Sequence, residues 1–233
     1  MSTVPGTALI TGGTGGLGVA VVERLLDRGD RVVVPYIEER ELERMPDVAA
    51  LDLVEADLFD AGSVRAVVDH ASGEEGAPLH SVVNLVGGYD APGRVHEASV
   101  DAFERMLRLN LRATYLVCQV AVPALVQNGG GAIVCVGSRA GERPFAGAAG
   151  YAVSKAAVAA FVKALDVEYR AEGIRANAVL PSVIDTPANR TAQPNADYSR
   201  WVRPAEIADA IAFLCSEAAS AISGAAIPVF GRA

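Results

Sequence analysis

Apolar residues along this chain gather into short runs, each closed by glycine or a polar turn and followed by a longer stretch with helical apolar spacing. Runs this short, apolar at successive positions rather than at alternate ones, read as strands buried on both faces. They are Thr7–Thr11, Arg31–Pro35, Leu51–Ala56, Ser81–Val86, Ala132–Val136, Arg175–Leu180 and Ala226–Phe230. Helical spacing covers Val19–Leu26, Ala61–Ala71, Asp101–Gln127, Tyr151–Glu172 and Pro204–Cys215, the last with proline near its start. The alternation predicts an α/β fold: a doubly wound, mainly parallel sheet of about seven strands with helices on both faces and ligands at the carboxyl ends of the strands. No repeat, low-complexity tract or linker interrupts it, so residues 1–233 read as one domain. The irregular segment at about 185–203, rich in Asn, Thr and Pro, reads as a substrate lid.

Polar residues at the strand ends carry the chemistry. After the first strand comes Gly12-Gly13-Thr14-Gly15-Gly16-Leu17-Gly18, a turn flexible enough to approach a pyrophosphate at the start of a helix, whose free N–H groups and dipole favour negative charge. Taken alone, it is equally compatible with a tight βα connection that holds no ligand. Tyr36 ends the second strand, beside the expected place of an adenosine ribose. Asp57, after the third strand, either meets an adenine edge or caps the following helix. Asn110 interrupts a long helical stretch and marks either a kink with a water site or an ordinary buried amide.

Tyr151 and Lys155 stand four residues apart, on one face of their helix. A phenol titrating near ~10 needs a neighbouring cation if it is to trade a proton near neutrality. Only Lys155 and Lys163 are lysines, against eighteen arginines, so a generic cation in this chain is an arginine and Lys155 is a specific choice. Ser138, just past the fifth strand, adds a hydroxyl that can converge on the pair.

A net charge of −8 and a pI near 4.9 exclude the basic footprint of a nucleic-acid binder. Cys118, Cys135 and Cys215 lack metal-ligand spacing and read as reduced thiols, so no metal site is expected and the compartment is expected to be cytoplasmic. The amino terminus carries no signal-like pattern, and no uninterrupted apolar run is long enough to span a bilayer, so no membrane partner is expected. Arg139, Arg143, Arg190, Arg200 and Arg203 either surround an anionic substrate or pair with acids such as Glu142, Asp185 and Asp197.

Over nearly its whole length the chain resembles the short-chain dehydrogenase/reductase family. Thr11–Gly18 is similar to that family's TGxxxGxG turn, Ser138 with Tyr151 and Lys155 to its S…YxxxK site, and Asn110 falls at its fourth active-site position. The resemblance implies a Rossmann-type domain, an NAD(P)(H) cofactor and hydride transfer at a small-molecule carbonyl or alcohol, as in ketone or 3-oxoacyl reductases. It also implies a homodimer or homotetramer built through the long helices. Tyr151 would protonate the carbonyl oxygen, Ser138 would hold it, Lys155 would lower the tyrosine pKa and bind ribose, and Asn110 would hold a relay water. Cofactor contacts would come from Gly12, Thr14, Gly15, Gly16, Leu17, Gly18, Tyr36, Asp57, Leu58, Asn84, Val86, Gly87, Tyr151, Lys155, Pro181, Ile184 and Thr186.

Two departures stand out: Asn84-Leu85-Val86-Gly87 replaces the family's NNAG, and Pro181-Ser182 its Pro-Gly, the serine offering a hydroxyl to the substrate pocket. The acid that commonly repels a 2′-phosphate is replaced by Tyr36. The arginines that welcome the phosphate are replaced by Gly15 and Ile37, while Glu38 and Glu39 lie close enough to oppose it. The balance leans towards NADP(H), with Arg40 as a contact. A non-catalytic dinucleotide-binding redox sensor and a cofactor-retaining epimerase or lyase are the alternatives. The complete Ser138, Tyr151 and Lys155 set argues against the first, and the short chain against the second.

Overall fold

Each apolar run forms a strand: β1 (Thr7–Thr11), β2 (Arg31–Tyr36), β3 (Leu51–Glu55), β4 (Leu79–Asn84), β5 (Gly131–Val136), β6 (Ile174–Pro181) and β7 (Ala226–Val229). In this computed structural model, which describes residues 6–232, they make one parallel sheet in the order β3-β2-β1-β4-β5-β6-β7. Residues 1–5, most of the stretch read above for an export signal, lie outside the description. Strand order reverses direction between β1 and β4, which opens a crevice at their carboxyl ends.

The helices are α1 (Gly18–Asp27), α2 (Ala61–Ser72), α3 (Val100–Leu107), α4 (Ala113–Gln127), α5 (Arg139–Glu142), α6 (Ala149–Tyr169), α7 (Pro187–Ala192) and α8 (Pro204–Leu214). Two-residue periodicity sorts each strand between two cores. Leu9 and Val33 join the cluster that includes α2, α4 and α6, whereas their neighbours Ala8, Ile10, Val32 and Val34 join the cluster that includes α1 and α8. Continuous apolar strands are therefore what burial on both faces requires.

The expected single helix Asp101–Gln127 is three pieces, because a π turn at Arg108–Arg112 separates α3 from α4 with Asn110 inside it. Although Val100–Gln127 is long and apolar enough to cross a membrane, it packs against α2 and α6 in this fold. The segment read as irregular at 185–203 contains α7 and a 3₁₀ turn at Tyr198–Arg200, and is anchored by an Ile184–Val202 bridge.

Candidate active site

The glycine turn after β1 is built for close approach. Gly12 has φ +69°, and a Cβ there would stand 3.0 Å from the Val86 nitrogen. At Gly18 it would come within 2.2 Å of the Gly12 carbonyl oxygen, so α1 can pack onto the turn only through glycine. Gly16 is exposed and faces Thr186, whose methyl a Cβ would meet at 3.0 Å. The backbone of the turn, the free end of α1 and Thr186 thus border a narrow cradle that any side chain at Gly16 would fill, as a bound pyrophosphate requires. Thr186 caps α7 by accepting from the Asn189 nitrogen, and the Asn189 amide bonds the Ile184 carbonyl. These bonds fix Ile184 and Thr186 just beyond Pro181, the end of β6.

The buried Thr14 hydroxyl donates 2.6 Å to Glu41, in a 3₁₀ turn (Glu39–Arg44) that follows β2. That contact spans 27 residues, and no sequence signal singled out Glu41 from the surrounding acids. Tyr36 is half-buried at the end of β2, as expected. Arg40, read as a phosphate contact, is an exposed side chain 3.7 Å from Glu38, and Arg44 lies 3.5 Å from Glu41.

Three other expectations need correction. Asn84 turns into the core, donating to the Cys118 and Cys135 sulfurs and accepting weakly from Thr11, so its amide braces β1, β4 and β5 beneath the crevice. The helix cap is Asp60, which accepts from Ser63, whereas exposed Asp57 accepts from the Phe59 nitrogen beside buried Leu58. The Ser182 hydroxyl is spent on the Phe230 carbonyl at 2.7 Å and is not offered to a pocket.

Ser138, Tyr151 and Lys155 do come together beyond β5. Ser138 caps α5, its hydroxyl accepting from the Ala140 nitrogen at 3.1 Å, and it also faces the Tyr151 phenol. Burial raises the phenol above its ordinary value, the Ser138 hydroxyl pulls it partly back, and Tyr89 pushes it further up. At neutral pH the group is therefore a protonated acid. Lys155 is buried one turn later, and its ammonium donates 2.9 Å to the Val136 carbonyl. Burial brings its pKa down to about 8, partly opposed by the Cys135 thiol. In this arrangement the downward pull on the phenol comes from the Ser138 hydroxyl, while the Lys155 ammonium is turned to the Val136 carbonyl.

Asn110 is fully engaged. Its amide nitrogen donates to the Gly88 carbonyl and the Ser154 hydroxyl, while its side-chain oxygen accepts from the Gly88 nitrogen at 2.8 Å. A Cβ at Gly87 would stand 2.5 Å from that oxygen and 3.0 Å from the Lys155 ammonium, so the glycine leaves both polar ends room to converge.

Among the arginines, Arg190 makes a two-bonded pair with Asp185, Arg203 bonds Glu206 and Arg139 lies over the Phe230 ring. The first two fit the ion-pair reading better than an anion funnel, and Arg139 is engaged by an aromatic face. The three cysteines are buried free thiols, and no cluster with metal-ligand character occurs among the described residues.

The family described as enoyl-(acyl carrier protein) reductase matches residues 12–231. The chain belongs to the short-chain dehydrogenase/reductase family. It is 34% identical to 2-(R)-hydroxypropyl-CoM dehydrogenase of Xanthobacter autotrophicus, with 96% of each chain covered. It is 35% identical to 4-formylbenzenesulfonate dehydrogenase of Comamonas testosteroni at the same coverage. A solved 3-ketoacyl-(acyl-carrier-protein) reductase from Brucella melitensis, complexed with NADH, superposes with TM-score 0.89 at 30% identity over 99% of each chain. As a member of this family, the chain is an NAD(P)-dependent oxidoreductase.

Proposed function

We propose that this enzyme interconverts a small carbonyl compound and its alcohol, with Tyr151 as the proton donor and acceptor. The observation that carries the reading is the convergence of buried Ser138 and Lys155 with half-buried Tyr151 at the carboxyl end of β5, beside the glycine cradle. Bound nicotinamide supplies or accepts the hydride. In the reducing direction Tyr151 gives its proton to the carbonyl oxygen, and Ser138 steadies that oxygen by hydrogen bonding. Lys155, freed from Val136, is the nearby cation that makes the resulting phenolate tolerable and holds the ribose. Asn110 positions the Gly87–Gly88 backbone against Lys155. Gly12, Gly15, Gly16, Leu17 and Gly18 would hold the pyrophosphate, with Val86, Ile184 and Thr186 lining the nicotinamide side.

For the cofactor, the charges around Glu41 favour NAD(H) over the slight lean to NADP(H) read from Tyr36, Gly15, Ile37 and Arg40. Glu41, oriented by Thr14, can accept from a ribose diol and repels a 2′-phosphate, while Arg40 and Arg44 lie beside acids. The segment at 185–203 acts as the lid. An apolar groove of about 660 Å³ lined by Leu107, Leu111, Tyr115 and Phe161 suits self-association through the long helices, in a cytoplasmic enzyme. Following reduced-cofactor absorbance with a panel of ketones and aldehydes tests the reading. Wild type should turn over at least one of them, and Tyr151→Phe should lose about two orders of magnitude in rate while keeping cofactor affinity. Equal rates in the two proteins would remove Tyr151 from the chemistry.

A further inference from the structure

Two loops that flank the reacting tyrosine each present an aromatic ring to solvent. Tyr89, in the loop after β4, is 62% exposed, and Phe145, in the loop before α6, is 50% exposed. The rings are not scattered. Tyr89 meets Tyr151 edge to face, with centroids 5.1 Å apart at 85°, and Phe145 continues the row 6.4 Å beyond Tyr89. A backbone bond from the Gly93 nitrogen to the Gly147 carbonyl ties the two loops together. The row therefore has an inner end, the half-buried Tyr151, and an open end that no part of the described chain covers. Polar groups that could have made this wall hydrophilic are occupied elsewhere: the Ser182 hydroxyl bonds Phe230, and Asp90 pairs with Arg105.

We propose that Tyr89 and Phe145 form an aromatic wall for the substrate's ring, so that the enzyme acts on ketones, aldehydes or alcohols whose reacting carbon is bonded directly to an aromatic six-membered ring. The inference rests on Tyr151 as the proton donor, because that anchors the reacting oxygen at the inner end of the row. A group attached to the reacting carbon would then lie along Tyr89 and Phe145. Rings in this geometry attract one another beyond their area of contact, in offset or edge-to-face pairs. A ring also brings few rotatable bonds, so little freedom is lost on binding. An open acyl chain gains the area but not the pairing, and loses its rotors.

Acetophenone and 2-octanone carry the same number of carbons, and burial of apolar area alone favours the chain. Ligand-detected NMR titrations on the protein with bound cofactor would give dissociation constants whether or not turnover occurs. Acetophenone should bind about three- to tenfold tighter than 2-octanone. Phe145→Ala should erase most of that difference, and Phe145→Tyr should restore it. Phe145 is half exposed, so the variant's melting temperature should match wild type. Equal affinities, tighter 2-octanone, or a preference that survives Phe145→Ala would overturn the wall. Ring-selective binding without turnover of any carbonyl would uphold the wall and sink the catalytic reading instead.

Discussion

Lys155→Met should make this protein more stable while disabling it. In the fold the ammonium is buried and its pKa is brought down from 10.5 to about 8. At about 1.36 kcal/mol per pKa unit, the charged form carries a penalty of roughly 3 kcal/mol at pH 7, where the side chain is protonated both folded and unfolded. Methionine fills nearly the same length without a charge, but it leaves the Val136 carbonyl without its donor, an offset of about 1–2 kcal/mol. A net gain of about 1–2 kcal/mol remains, which for a chain of this size raises Tm by roughly 2–8 °C. Its pH dependence has a definite sign. Between about pH 8 and 10.5 the folded lysine has lost its proton while the unfolded one keeps it. The unfolded state then binds more protons, and wild-type stability rises with pH. The advantage of Lys155→Met is therefore full below pH 8 and shrinks as pH climbs towards 10.5. Thermal unfolding of both proteins by circular dichroism at pH 7, 9 and 10 reads this directly. A methionine variant less stable than wild type at pH 7, or a gap that ignores pH, would refute the argument.

Glu41→Gln should shift the NADPH-to-NADH ratio of dissociation constants towards NADPH by about 10- to 100-fold, because it removes a like-charge repulsion and a charge-assisted acceptor together. Cofactor-fluorescence titration measures it, and an unchanged ratio would exonerate Glu41. Gly87→Ala should cost about 1–3 kcal/mol of stability and weaken cofactor binding about tenfold or more, since its Cβ would press on both the Asn110 oxygen and the Lys155 ammonium. Thermal melts and calorimetric titration would expose a harmless alanine at once.

What the sequence made legible was what depends on neighbours in the chain. Strands followed from short apolar runs, the glycine turn from its position between a strand and a helix, and the Tyr151–Lys155 pairing from helical spacing. What it hid depends on docking between distant segments. The Thr14–Glu41 bond spans 27 residues and the Ser182–Phe230 bond 48, and neither pair has a local signature. Asn84 matched a cofactor-binding pattern, yet its amide faces two cysteines contributed by α4 and β5. Asp57 and Asp60 show the same limit at short range, because either could cap α2 by composition and only the backbone decides for Asp60.

Asn110 shows why the two kinds of information have to be joined. A π turn in the middle of a long helical stretch is a rare irregularity, often found at functional sites. Here it sets the Asn110 amide between Gly88 on the β4 loop and Ser154 on α6. Ser154 in turn donates to the Tyr151 carbonyl at 2.8 Å. One side chain therefore links the loop that carries Tyr89 to the helix that carries Tyr151 and Lys155. The Asn110 main-chain carbonyl accepts from the Thr114 hydroxyl at 3.2 Å, so the turn's irregular backbone is itself braced. With every polar atom of its side chain engaged, Asn110 acts through position, holding Gly87 and Lys155 at close approach. The side-chain nitrogen and oxygen that the relay-water role read from the sequence would use are both already bonded within the protein. An alanine at 110 would leave the Gly88 nitrogen and carbonyl without partners and uncouple the aromatic wall from the proton donor it flanks, so its damage should spread to substrate discrimination as well as rate.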